Sequence, residues 1–161
     1  MTTTPATGYD GLSSRLIPEA ELREFLLGCF GIAGHELFVG HADRLDEDLR
    51  DVPPDTVFAA FCAYEEVGGH FAMRFDVGVE GRLADRVGRE EFAGRFAARF
   101  GAHVLYGDAE PPGLWTVVLP DGGLLRAALE EDGDRFTLYT ATAPIPGLPG
   151  LRVDEGLWRV R

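Results

Sequence analysis

The chain has 161 residues, 45% of them hydrophobic and 11% aromatic, which describes one packed globular domain and excludes a disordered one. Its 27 acids against 15 bases leave a net charge of −12, which opposes nucleic acid and anionic membranes and favours a basic protein partner or a cationic ligand. All the bases are Arg, and Lys, Asn and Gln are absent, so Schiff-base and P-loop lysines are excluded, as are side-chain amides that build an oxyanion hole or read adenine.

Residues 1–14, rich in Thr, Gly and Ser, read as a flexible tail, placing the folded domain at 15–161. Pro18 and the acids Glu19, Glu21 and Glu24 then open a helix whose apolar stripe is Leu22, Phe25, Leu26, Cys29 and Phe30. Gly31 or Gly34 can end it. A short strand over 37–39 precedes an acidic loop over 43–55. Two strands over 57–64 and 70–79 flank Gly68-Gly69, and in the second Phe71, Met73, Phe75, Val77 and Val79 alternate with polar or small residues. A second helix opens at Arg89, carries Phe92, Phe96 and Phe100 on one face, and stops at Gly101. Strands follow over 103–106, 114–119, 124–129 and 135–142, the last three separated by Pro-Asp-Gly-Gly and Asp-Gly-Asp turns. Residues 143–150 are irregular, and 157–160 would add an edge strand.

The expected fold is α+β, a mostly antiparallel sheet with two amphipathic helices. The order helix–strand–strand–strand recurs, suggesting two similar units at 18–80 and 89–142 that share one core. Phe25, Phe71, Phe75, Phe92, Phe96, Trp115 and Val117 are its expected core. Residues 1–10 lack the basic and apolar regions of a signal peptide. No apolar run approaches the ~20 residues of a membrane span, and Cys29 and Cys62 read as reduced, buried thiols. These features place the chain in the cytoplasm.

Elimination narrows the chemistry. The only serines, Ser13 and Ser14, lie in the expected tail, so no serine triad is available. Neither cysteine has the exposed, electropositive setting of a nucleophile. His35, His41, His70 and His103 have no zinc-ligand spacing, although His35 and His41 flank one strand beside Asp43. No window of the acidic loop meets the EF-hand pattern, and no glycine-rich phosphate cradle follows a strand. No metal and no cofactor are therefore expected. What remains is the loop itself, where Asp43, Asp46, Glu47, Asp48, Asp51 and Asp55 face only Arg44 and Arg50.

In the second half, Glu90-Glu91-Phe92 leads a helix to Gly101, followed by His103-Val104-Leu105-Tyr106, Leu114-Trp115-Thr116-Val117-Val118 and Pro120-Asp121-Gly122. This arrangement resembles families of small acidic proteins from high-GC bacteria, some tied to the immunity proteins of toxin systems. The resemblance covers about a third of the chain and carries over no site residue. It implies a non-catalytic binder, an immunity-type inhibitor of a basic toxin or an accessory factor, and the acidic loop is the candidate partner surface. The competing expectation is a small enzyme or ligand-binding protein with a cavity between sheet and helices, using His70, His103, Glu65 and Glu66 for acid–base work. A third reading packs the Phe-rich faces against a second copy of the chain.

Overall fold

The computed structural model describes residues 7–107 and 114–156. Ten strands among them form one sheet: β1 (Thr7–Ser13), β2 (Leu37–His41), β3 (Ala60–Glu66), β4 (Gly68–Gly69), β5 (Met73–Val79), β6 (Val104–Gly107), β7 (Leu114–Val118), β8 (Leu124–Asp132), β9 (Arg135–Ala141) and β10 (Arg152–Val153). Their order is β10-β9-β8-β7-β6-β1-β5-β3-β2, with β4 pairing β9 off that path. Most pairs are antiparallel, and β2 with β3, β10 with β9 and β4 with β9 are parallel. The fold is α+β, as the alternation and helical stripes imply.

Helices α1 (Glu19–Phe30) and α4 (Arg89–Phe100) lie side by side on one sheet face, and the single-turn helices α2 (Leu45–Asp48) and α3 (Gly81–Ala84) lie in loops. Each long helix has acids in its first turn, where they meet the positive end of the dipole. Each ends on a left-handed glycine, Gly31 at φ 63° and Gly101 at φ 59°, whose N–H satisfies a carbonyl of the last turn. Between the helices and the sheet is an aromatic core. Phe96 stacks on Phe75 at 5.0 Å, meets Phe100 edge-on at 4.9 Å, and receives the edge of Phe25 at 5.5 Å. Of the expected core, Phe71, Phe75, Phe92, Phe96 and Val117 are buried, whereas Phe25 and Trp115 are half-buried.

The opposite face is built differently in its two halves. Over β6 to β9 the sheet curls on itself and encloses a second core of Leu12, Leu105, Val117, Leu125, Phe136 and Leu138, covered in part by Ile145. The curl is sewn by β4, which lies between β3 and β5 in sequence but bonds to β9: the N–H of Gly68 donates to Asp134 and that of His70 to Phe136, both at 2.8 Å. Over β1, β5, β3 and β2 neither long helix covers this face, and only Asp48 of α2 reaches it, at β2. Phe38 and Phe61 stack there at 4.8 Å, beside exposed Gly78 and Gly8.

Three expectations need correction. Residues 7–13 are not a tail but the central strand, paired with β5 on one side and β6 on the other. Tyr9 and Leu12 are buried on opposite faces, and the polar residues between them hide the strand from periodicity. Gly68-Gly69 is not a tight hairpin turn but the seam strand β4. The two helix–strand–strand–strand units also pair differently, since β2 runs parallel to β3 whereas β6 runs antiparallel to β7. Strand β10 was not expected, and the expected edge strand over 157–160 lies outside the described residues. No helix among the described residues is long and apolar enough to cross a membrane.

Candidate functional site

The strand register places two aspartates face to face. Asp10 on β1 is the direct partner of Asp76 on β5, and one step along the same face the partners are Gly8 and Gly78. On the other side Leu12 meets Arg74, which is drawn away by Glu65 at 3.3 Å. Like charges directly opposite are unfavourable in a sheet. The Asp10 carboxyl is accordingly pushed up to about 6, first by partial desolvation and then by Asp76, with Arg89 opposing. Both residues nevertheless remain solvent-accessible.

The pair borders a cleft of about 480 Å³ where the sheet begins to curl. Trp115, Leu105 and Phe136 supply apolar wall, and Arg74, Arg89 and Glu131 the remaining charge. Trp115 is laid against the backbone of Gly107, its cross-strand partner: a Cβ at 107 would come within 3.0 Å of the indole. The cleft opens on the face away from the long helices, with Arg89 of α4 at its edge, and a second hollow of about 390 Å³, lined by Glu90, Glu91, Gly94, Val118 and Leu124, lies between α4 and the sheet.

The expected acid–base residues are not gathered in either. Glu65 is engaged by Arg74. The Nε2 of His41 lies 2.5 Å from Glu66, and the His41 Nδ1 accepts the N–H of Asp43 at 3.1 Å, so Nε2 carries the proton. That bond holds the Glu66 carboxyl below its usual range. The Nδ1 of His70 accepts the N–H of Leu138, which ties the curl, and the Nε2–H of His103 donates to Pro146 while its buried Nδ1 has no partner. His70, His103, Glu65 and Glu66 are each held by a different structural partner. Both serines are occupied as well, Ser13 donating to Arg15 and Ser14 accepting the N–H of His103. His35 is exposed. Among the described residues no group of three His, Cys, Asp or Glu is arranged to hold a metal.

The acidic segment leaves the edge strand β2 through a short 3-10 turn over Ala42–Arg44 into α2. Asp43, Asp46, Glu47, Asp48, Asp51 and Asp55 are all exposed. Among the described residues none of the six forms an ion pair with an arginine. Asp48 turns back over β2, so that a Cβ on Gly40 would meet both it and the Phe38 ring. Charge and the half-buried Phe38–Phe61 pair therefore adjoin on the uncovered half of the sheet, with Phe58 5.7 Å from Phe38 and Val57 83% exposed nearby in sequence. Sequence reasoning finds the acids but not this aromatic floor, because Phe38 and Phe61 come together only through the β2–β3 register.

Comparison with known proteins adds little. No protein-family model matches the chain, and no solved structure matches it. An alignment 117 positions long, covering 69% of the chain, is 32% identical to a 1-phosphatidylinositol 4,5-bisphosphate phosphodiesterase of Drosophila melanogaster, and spans 10% of that protein's length.

Proposed function

We propose that this is a non-catalytic, cytoplasmic protein-binding domain, an immunity-type inhibitor or accessory factor, that holds a basic partner against the uncovered half of its sheet. The observation that carries this reading is the adjacency of the aromatic pair Phe38–Phe61 to the acidic segment 43–55. Aromatic anchors supply most of the energy of an interface, and charges at the rim steer and select the partner. The net charge of −12 suits a cationic partner. It suits a phosphorylated lipid head group poorly, and the likeness to the fly phosphodiesterase spans too little of that enzyme to bring its reaction here.

The test is capture of a partner from native extract, followed by binding kinetics. Replacing Asp46, Glu47 and Asp48 together by Asn, Gln and Asn should slow association more than it speeds dissociation. The effect should fade as the Debye length falls from ~10 Å at 0.1 M salt to ~3 Å at 1 M. Phe38→Ala should instead speed dissociation. A partner whose on-rate ignores both the triple variant and the salt would overturn the electrostatic account.

A further inference from the structure

We propose that the cleft beside β1 and β5 is a binding site for a small organic ammonium ion, its charge held by the Asp10–Asp76 pair and its apolar body against Trp115. This goes beyond the partner-binding reading and does not depend on it. Three observations converge on it.

The first is the cross-strand carboxylate pair itself, an arrangement that costs stability when both groups ionise and that any sheet can avoid by one substitution. The charges facing it are Arg74 and Asp76 from β5, Arg89 from α4 and Glu131 from β8. Arg74 is taken by Glu65 and lies over Phe136, so it compensates little. Arg89 sits at the first residue of α4, hydrogen-bonded to the carbonyl of Gly107 at 3.3 Å. Neither arginine is therefore free to neutralise both acids, and a cation entering the cleft would do so.

The second observation is the cavity. Its volume, about 480 Å³, lies in the range of small-ligand pockets. Gly8 and Gly78, one step along the strands, present no side chain of their own to a ligand approaching the pair. The third is the wall. Trp115 presents an indole fixed by Gly107, and cations favour aromatic faces, Trp above all. An ammonium ion would satisfy both carboxylates with charged N–H···O bonds. A carboxylate or phosphate ligand would instead add to the repulsion.

Trp115 is the reporter. In a Trp158→Phe background its fluorescence should change saturably with n-butylammonium chloride at about pH 7.5, where Asp10 is ionised, and not with butanol or sodium butyrate. Saturation-transfer NMR on the unmodified chain reads the same selectivity without any substitution. Asp10→Asn and Asp76→Asn, each checked for an intact cooperative unfolding transition, should weaken binding on the order of tenfold or more, the loss expected for one charged hydrogen bond. Calorimetry near pH 6 in buffers of different ionisation enthalpy should show proton release on binding. Butyrate binding as well as butylammonium, no saturation by either method, or full affinity in the aspartate variants would each overturn the proposal.

Discussion

The guanidinium of Arg74 lies over the ring of Phe136, 5.0 Å from its centroid. This contact joins the flat half of the sheet to the curled half, because Arg74 belongs to β5 and Phe136 to β9. The backbone seam beside it is tighter still. Gly69 has φ of +89°, and a Cβ there would fall 2.3 Å from the Phe136 carbonyl oxygen. Gly69→Ala should therefore open the β4–β9 pairing at a cost of about 1–3 kcal/mol from backbone strain, with the clash added. Hydrogen exchange should speed up at the His70 amide, which bonds Phe136, while α4 stays protected at first. Unchanged exchange at His70 would mean that the seam carries no stability.

The helix-side core rests on Phe96, which is fully buried among Phe75, Phe25 and Phe100. Phe96→Ala should cost roughly 3–5 kcal/mol, measured by urea unfolding. Phe25→Ala, at a half-buried site on the neighbouring helix, should cost less.

Asp10 predicts a pH dependence with a definite sign. Its carboxyl rises from 3.8 unfolded to about 6 folded, so the folded state holds the proton more tightly. The contribution is complete below about pH 4 and is lost as pH rises through about 6. Asp10→Asn should therefore be more stable than the parent at pH 7 and gain nothing at pH 3.5. The difference should not exceed about 1 kcal/mol, because the pair is open to solvent. Denaturant midpoints of both proteins across that range give the answer, and a variant that loses stability at pH 7 would reverse the sign.

Cys62 is fully buried, and burial pushes its thiol up to about 12. It should resist thiol reagents at about pH 8 until the protein unfolds. Labelling at the global unfolding rate is expected. Faster labelling would reveal a local opening of β3.

Long periodic segments disclosed themselves in the sequence. The Phe92, Phe96, Phe100 stripe gave α4, and the alternation from Phe71 to Val79 gave β5 and its buried face. That same alternation set Arg74 and Asp76 on the polar side. What periodicity cannot supply is the partner across a strand pair. Asp76 meets Asp10 only because β1 lies beside β5, and nothing local in Thr7–Ser13 announces a central strand. Trp115 read as core because its neighbours Leu114, Val117 and Val118 are apolar, whereas its half-burial follows from the curl of the sheet. The acidic loop was visible as charge, and its aromatic neighbour was not.

Strand β1 has a consequence for how the molecule is made. It is the first strand among the described residues, yet its two neighbours are Met73–Val79 and Val104–Gly107. During synthesis it can pair with β5 once residue 79 has emerged, but its other edge, and Leu12 against Leu105, must wait until residue 107 has left the ribosome. Until then the edge of β1 that β6 will fill stays open to any other extended chain. Closure of so long a loop is slow compared with helix formation. Nascent chains in which residue 107 has not yet left the ribosome should consequently be captured by holdase chaperones more than those in which it has, because the second edge of β1 is filled only then.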